Sequence, residues 1–243
     1  MKIFLSALEN GNNEKILQRP LLYNLMSYYY IRNKIKLAEE IRDKSELIMI
    51  DSGAHSFQKG TKVNWTEYTR QYAEFIKKFD RPNVVGYFEM DVDNIIGYDK
   101  VLELRKILEK VSDKIIPVWH KNRGLDEFKK MCQDYAGKVV AITGFKNEDI
   151  QDHQYLMFLK YARRYKCKVH CLGMTRKKIL DKVPFDYVDS SSWRQEGIYG
   201  RIGGRRVDRN FNKSNYADVF LATYLEGMKM QKEYERRWKR YEQ

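Results

Sequence analysis

The segment Phe185-Asp-Tyr-Val-Asp-Ser-Ser-Ser-Trp193 combines a short apolar run with acids and three consecutive hydroxyl groups. Phe185, Tyr187 and Val188 predict a buried strand. Packing gives no reason for Asp189 and the three serines that come next. Parallel α/β folds carry their chemistry at strand ends of this kind. The segment therefore predicts a strand that ends at a functional site.

A second segment, Leu47-Ile-Met-Ile-Asp-Ser-Gly53, has the same organisation, with an apolar strand followed by an acid and a hydroxyl. Gly53 permits the sharp exit that would aim Asp51 and Ser52 away from the strand. Each Asp could instead cap the helix that follows it, since aspartate is a preferred N-cap residue. Two strand-terminal carboxylates far apart in sequence nevertheless favour a shared pocket.

Strands and helices alternate along the chain, which is the pattern of a parallel α/β fold. The strands predicted from apolar runs are 2–8, 47–50, 84–90, 114–119, 138–143, 168–172 and 185–189. We therefore predict a (β/α)8 TIM-type barrel, irregular or incomplete, in which residues 1–243 form a single catalytic domain. A doubly wound open sheet is the alternative.

Seven strands leave one strand of such a barrel unassigned. Pro20 is interpreted as the start of a helix. The apolar face of that helix would consist of Leu21, Leu22, Leu25 and Met26. The eighth strand should then come from residues 194–212 or from an irregular segment near residue 30. A long helix over 216–240 is predicted to end the fold.

The chain is strongly basic, with a formal net charge of +13 over 243 residues. Such a charge is typical of a protein with a polyanionic partner, although a charge spread evenly for solubility is the alternative. Positive charge is concentrated in a glycine-rich loop that follows the seventh predicted strand. The arginines of this loop are Arg194, Arg201, Arg205, Arg206 and Arg209. Guanidinium groups and backbone N–H groups in such a loop are suited to phosphate, so we predict a nucleic-acid-binding surface there.

Cysteine usage and hydropathy bear on the compartment. The three cysteines are odd in number and have no paired spacing, which predicts reduced thiols and a cytoplasmic protein. An apolar run of about 20 residues, as a membrane-spanning helix requires, does not occur in the sequence. We therefore predict no contact with a membrane.

Polar side chains stand at most of the predicted strand ends, and in a barrel they would converge on one mouth. They are Asp51, Glu89, Asp91, Asp93, His120, Thr143, Gly144, Gly173, Asp186 and Asp189. Two carboxylates about a sugar width apart can break a glycosidic bond, one as nucleophile and one as acid. The base-to-C1′ bond of a nucleoside is of this kind.

A metal site is the alternative use of these acids. The four histidines lack the spacing of zinc ligands, and the cysteines are unpaired. Magnesium held by Asp91 and Asp93 stays open as a second interpretation. We expect no cofactor.

Five segments follow the order of motifs in the tRNA-guanine transglycosylases. They are Asp51-Ser-Gly53 with Phe57, Ile115-Ile-Pro-Val-Trp-His120, Val140-Ala-Ile-Thr-Gly144, Val169-His-Cys-Leu-Gly-Met174 and Phe185-Asp-Tyr-Val188. The chain therefore resembles this family over roughly residues 45 to 205. The structural zinc motif of the family is absent, and Ala54-His55 stands where the family has glycine. The short chain is more similar to the phage-type branch that exchanges guanine in DNA for a 7-deazaguanine.

The resemblance implies a pentosyltransferase reaction and its partners. DNA would be the polymer, with tRNA as the alternative. The second substrate would be a free 7-deazaguanine base such as preQ0 or preQ1. A partner protein or a homodimer could supply further nucleic-acid contacts.

The resemblance also implies roles for single residues. Asp51 would be the general acid and base. The nucleophile would be Asp186 by alignment on Phe-Asp, or Asp189 by its strand-terminal position, and regular alternation allows only one of them to face the mouth. We favour Asp189. The remaining substrate-binding residues would be Ser52, Gly53, His55, Phe57, Asp91 with Asp93 as its alternate, His120, Gly144 and Met174.

Two readings from other classes stay open. The chain could be a nucleic-acid-binding barrel without catalytic activity. It could also be a hydrolytic glycosidase or a metal-dependent phosphoesterase.

Overall fold

The structure is a computed structural model that describes residues 1–57, 62–143, 150–207 and 215–241. Gly144 and Arg209 lie outside the described residues. Nine strands of the described chain form one sheet in the order β5-β4-β3-β2-β1-β9-β8-β7-β6. They are β1 (Lys2–Ser6), β2 (Leu21–Ser27), β3 (Ser45–Asp51), β4 (Val84–Phe88), β5 (Ile115–Ile116), β6 (Val118–Trp119), β7 (Val139–Thr143), β8 (Lys168–Leu172) and β9 (Tyr187–Ser190).

The two ends of this sheet meet, because β5 and β6 are halves of one strand separated only by Pro117. β5 pairs with β4, and β6 pairs with β7. Proline has no N–H to donate, which explains the interruption of the ladder at this position. Every pairing in the sheet is parallel. The fold is therefore an irregular (β/α)8 barrel, as the alternation of strands and helices predicts.

The strand that the sequence left unassigned is β2, and the helix predicted to start at Pro20 is wrong. Leu21–Ser27 pairs with β1 on one side and with β3 on the other. A parallel strand buried on both faces is apolar at nearly every position, so it lacks the alternation that identifies a half-exposed strand. The same run fits one face of a helix, and periodicity alone could not decide between them.

Helices cover the outside of the barrel. They are α1 (Tyr28–Ile31), α2 (Ile35–Lys44), α3 (Trp65–Phe79), α4 (Asp93–Ile96), α5 (Tyr98–Glu109), α6 (Gly124–Asp134), α7 (Tyr155–Arg164), α8 (Lys177–Leu180), α9 (Ser192–Ile198) and α10 (Tyr216–Trp238). The long α10 confirms the predicted C-terminal helix. Its Gln231 Nε2 donates to the carbonyls of Ile3 and Tyr23, at 2.7 and 2.6 Å, and so ties α10 to β1 and β2. None of the helices in the described part of the chain has the length and apolarity to cross a bilayer.

The interior of the barrel changes character along its axis. The middle is filled by large side chains such as Phe4, Met49 and Phe88, which are fully buried. Side chains alternate along each strand, so the residue two positions further on returns to the interior. In β1 and β3 that residue is Ser6 or Asp51. Small and acidic residues therefore replace apolar ones at the carboxyl end of the barrel, and this leaves a cavity.

The basic loop follows β9 and α9. Its described part forms an antiparallel hairpin of β10 (Arg201–Ile202) and β11 (Arg205–Arg206). This hairpin is a separate two-stranded sheet. The suggestion that residues 194–212 supply the eighth strand of the barrel is therefore wrong for the described part of that region.

Candidate active site

A cavity of about 780 Å³ opens at the carboxyl ends of the barrel strands. Such a volume is typical of a small-molecule site. The residues that line it are Ser6, Ala7, Glu9, Asn10, Leu25, Ser27, Tyr30, Asp51, His55, Ser56, Phe88, Asp91, Asn94, Val118, His120, Asn122, Thr143, Leu172, Gly173 and Asp189. Asp51 and Asp189 both belong to it. Asp51 lies on β3 and Asp189 on β9, and β1 and β2 separate these two strands by about 14 Å along the sheet. Both side chains face the interior of the barrel, so the two carboxyl groups lie closer together than the strands that carry them.

Asp51 is held by the turn that follows β3. The Gly53 N–H donates to Asp51 Oδ2 at 2.8 Å. Tyr68 and Tyr72 of α3 donate their hydroxyls to the carbonyls of Ser52 and Ile50, at 2.8 and 3.1 Å, and so fix the backbone on either side. Burial raises the pKa of Asp51 to about 6, against the Gly53 hydrogen bond and the charge of His55, which lower it. A carboxyl group with this pKa can both donate and accept a proton near neutral pH.

The turn at Gly53 has room for glycine only. Gly53 has φ +73°, and an added Cβ would lie 2.4 Å from Tyr29 Cβ and 2.7 Å from the Tyr29 backbone nitrogen. We expect Gly53→Ala to lower the free energy of unfolding by about 3 kcal/mol or more, because the strain of a positive φ adds to a clash with backbone. Gly137→Ala is the matched control, since Gly137 has φ +78° and open space around it. It should cost only about 1–2 kcal/mol in urea denaturation. Equal losses in the two variants would contradict the clash.

Asp189 receives three hydrogen-bond donors. His170 Nε2 and the Gly173 N–H each lie 3.0 Å from Asp189 Oδ1, and Ser6 Oγ donates to Oδ2 at 3.3 Å. A carboxylate only accepts, so Nε2 of His170 carries the proton of that ring. His170 is fully buried against aromatic rings, with Phe88 at 5.0 Å between centroids. The carboxylate is therefore fixed in orientation and directed at the cavity, as an attacking group must be.

Asp186 lies at the other end of the barrel and does not meet Asp51. It lines a smaller cavity of about 290 Å³ together with Lys2 and Lys168, which begin β1 and β8. Its Oδ2 accepts the Val169 N–H at 2.8 Å. The alignment on Phe-Asp therefore selects a carboxylate that cannot share a substrate with Asp51. Of the two alternatives, only Asp189 shares a cavity with Asp51.

Asp91 lies in the cavity wall between two histidines. Its Oδ2 is 3.1 Å from His55 Nε2, and its Oδ1 is 2.7 Å from His120 Nε2. Burial by itself would raise the pKa of Asp91, but the hydrogen bonds and charges of His120 and His55 outweigh it and hold the pKa below the usual range. The pKa values of both histidines are raised, for His55 chiefly by the hydrogen bond to Asp91 and for His120 by the same carboxylate against the effect of burial. Asp91 therefore favours the protonated form of both imidazoles.

Asp93 belongs to a buried ionic network behind the cavity wall and does not line the cavity itself. Arg123 donates from Nε to Asp93 Oδ2 at 3.0 Å and from Nη1 to Glu89 Oε1 at 3.1 Å. Arg105 Nε donates to the other Glu89 oxygen at 2.6 Å. Asp91, Asp93 and His120 offer ligand atoms within 4.8 Å of one another. The Arg123 guanidinium, however, already bonds Asp93 and lies 3.7 Å from Asp91, so a cation there would meet a fixed positive charge.

Four other predicted substrate-binding residues, among them Gly53 of the turn itself, do not line this cavity in the described structure. Ser52 is buried behind the turn. Phe57 packs against Tyr29 and Tyr68, with ring centroids 4.9 and 5.0 Å apart. Met174 is fully buried in the core between the barrel and its helices. Neither side chain lines the cavity, so a role for Phe57 and Met174 in substrate binding stays a prediction.

The predicted arginines fall into two groups. Arg194 Nη2 donates to the Asn10 carbonyl at 2.8 Å, so its guanidinium holds the loop after β1. Arg201, Arg205 and Arg206 are exposed on the hairpin. Arg201 lies 6.0 Å from the ring of Tyr199, which is 65% exposed. The hairpin thus presents positive charge beside an aromatic ring.

Sequence reasoning missed several residues of the site. Glu9 is the first acid after β1, and applying the strand-end rule to β1 as to β3 would have found it. Ser6 and His170 contact Asp189 from neighbouring strands, and only the strand register brings them together. Arg123 gives no sequence signal, because its carboxylate partners lie in α4 and in the segment between β4 and α4.

No family model matches this chain, and no curated protein or solved structure matches it.

Proposed function

We propose that this protein is a nucleic-acid base-exchange glycosyltransferase that replaces guanine in DNA by a 7-deazaguanine. The observation that supports this most is the pairing of Asp51 and Asp189 in one cavity, in different environments. Asp189 is fixed by three donors, as suits a nucleophile. Asp51 has a raised pKa, as suits a general acid and base. Pairs of carboxylates with divided roles of this kind break and form glycosidic bonds.

In the first half of the reaction, an Asp189 oxygen attacks C1′ of the target nucleotide. The bond from C1′ to the guanine nitrogen breaks, and its electron pair leaves with the base. Asp51 gives its proton to the departing guanine, so the base leaves as a neutral molecule. Before this step the nucleotide must leave its stack and enter the cavity, at a cost of a few kcal/mol in a duplex.

In the second half, the incoming 7-deazaguanine takes the position of guanine. Asp51, now ionised, removes the proton from its ring nitrogen. That nitrogen attacks C1′ and displaces Asp189, which regenerates the carboxylate. The proton that Asp51 gives up in the first half is recovered in the second, and guanine leaves as the 7-deazaguanine takes its place. The reaction therefore needs no cofactor.

The cluster of His55, Asp91 and His120 would face the base. Both oxygens of Asp91 are occupied by imidazole nitrogens. The His55 side chain is 69% exposed, whereas that of His120 is 17% exposed. His55 is therefore the partner that can move aside, and a purine N–H could then replace it on Asp91.

The hairpin of Arg201, Arg205 and Arg206 would contact the phosphate backbone. We expect the triple change of these arginines to Gln to weaken binding of DNA uniformly across sequences, and to reduce the slope of log K against log salt by about 2–3. Filter binding at several salt concentrations measures both. The matched control changes Lys77, Lys100 and Lys129 to Gln, which removes the same charge from α3, α5 and α6. A control that loses as much affinity as the hairpin variant would contradict a local contact.

The proposed reaction is tested by incubating the protein with radiolabelled guanine and either duplex DNA, single-stranded DNA or bulk tRNA. Label that becomes acid-precipitable in DNA supports the proposal. Label that enters only tRNA would support the same base-exchange reaction with tRNA in place of DNA as the substrate. Binding of DNA without incorporation, with guanine and 7-deazaguanines each supplied, would favour a binding protein without turnover and overturn the proposal.

A further inference from the structure

The cavity contains a fourth carboxyl group, Glu9, besides those of Asp51, Asp91 and Asp189, and the proposed reaction does not use it. It lies in the single turn Leu8–Asn10 that follows β1 and is only 1% exposed. Its Oε1 accepts the Ser27 N–H at 3.0 Å. Its Oε2 is buried without a hydrogen-bond partner among the described residues, and so is the neighbouring Ser27 hydroxyl. Burying an unpartnered charged oxygen is costly, so this group needs a proton or a ligand.

The charges around Glu9 come from three elements. Asp51 at the end of β3 raises its pKa, and Arg194 of α9 lowers it. Lys34, which precedes α2, donates to the Glu9 backbone carbonyl at 3.3 Å. Burial has the largest effect and raises the pKa of Glu9 to about 7. The side chain is therefore about half protonated at pH 7 and largely neutral below it, where it adds little negative charge beside Asp51.

We propose that Glu9 is a ligand-binding residue whose neutral carboxyl group donates a hydrogen bond from Oε2 to an acceptor on the bound base. Oε1 stays on the Ser27 N–H, and the proton on Oε2 supplies the donor. The terminal torsion of a glutamate is broad, so a small rotation turns that donor toward the cavity. The ligand that this arrangement selects is a heterocycle with a carbonyl oxygen or an unprotonated ring nitrogen on the side that faces β1 and β2. The inference rests on the proposed function and assigns one side of its substrate.

Glu9→Gln is the decisive variant, because the amide oxygen can keep the Ser27 N–H while the amide nitrogen donates at every pH. Equilibrium dialysis with radiolabelled guanine should show wild-type affinity falling about tenfold from pH 6 to pH 8, as the donor is lost. The affinity of the variant should lack this fall. Asp51, His55 and His120 titrate in both proteins, so the ratio of the two affinities isolates Glu9.

Thermal denaturation without ligand gives a second readout. A carboxyl group with a raised folded-state pKa contributes stability that is lost as the pH rises from its unfolded pKa to its folded one. The Tm of Glu9→Gln should therefore rise relative to the Tm of the wild type as the pH is raised from 5 to 8. A Tm difference that stays constant over this pH range means that Glu9 is ionised in the folded protein. That result overturns the inference, whatever the outcome of the guanine-binding experiment.

The two failures can be told apart. Guanine binding with the same pH dependence in both proteins, or affinity that rises with pH in the wild type, overturns the role of Glu9 and leaves the reaction standing. Guanine that binds neither protein at any pH overturns the proposed substrate, and the role of Glu9 falls with it.

Discussion

Replacing Asp189 by Asn should abolish base exchange, lowering the rate by at least about a thousandfold while the fold is retained. The Asn carbonyl oxygen can accept from His170 and Gly173, as Asp189 Oδ1 does, and its amide can donate to the Ser6 hydroxyl. The change therefore preserves the hydrogen bonds and removes only the negative oxygen that would attack C1′. Incorporation of labelled guanine into DNA measures the loss, and thermal denaturation checks the fold.

Asp186→Asn is the matched control, because it makes the same change three residues earlier, at the opposite end of the barrel. Asn can still accept the Val169 N–H, so activity should stay within about twofold of the wild type. A covalent complex of protein and DNA, trapped by denaturation, should form with Asp186→Asn and fail to form with Asp189→Asn. The reverse pattern would make Asp186 the nucleophile and would contradict the geometry of the site.

The sequence predicted the barrel well because its outer helices have regular apolar faces. In α3, for example, the buried aromatic residues Tyr68, Tyr72, Phe75 and Phe79 recur at helical spacing. β2 was missed because a strand with both faces buried has no alternation to detect. Its place between β1 and β3 follows only from pairing, which a single sequence does not contain.

The candidate site was predictable to the extent that it lies at strand ends. Asp51 and Asp189 came from that rule, and Glu9 was available to it. The burial of these carboxyl groups and the ionic network around Arg123 were not predictable, because both depend on which residues meet across the barrel. Asp91 and Asp93 are identical in type and two positions apart, yet one lines the cavity and the other is bonded to Arg123 behind it.

Asp51→Asn should slow exchange of guanine by about a hundredfold to ten-thousandfold, the usual contribution of a general acid. The Gly53 N–H can still be accepted by the amide oxygen, so the turn after β3 should persist. The wild-type rate of the first half-reaction, measured under kcat/KM conditions, should fall about tenfold for each pH unit above about 6, because Asp51 has a pKa of about 6 and acts there in its protonated form. The variant should lack this fall.

The leaving base separates the role of Asp51 from that of Asp189. A 7-methylguanine in DNA carries a positive charge and departs as a neutral base without receiving a proton. Asp51→Asn should therefore release 7-methylguanine at close to the wild-type rate, whereas Asp189→Asn should release neither base. Nucleobase release from methylated and unmethylated DNA, quantified by mass spectrometry, gives the comparison. A contradicting result would be that Asp51→Asn loses the release of both bases equally while the wild type releases both. Asp51 would then be required for binding or for structure. The proton on the departing guanine would have to come from another group in the cavity, and Glu9, a buried carboxyl group whose pKa is also raised, would be the candidate.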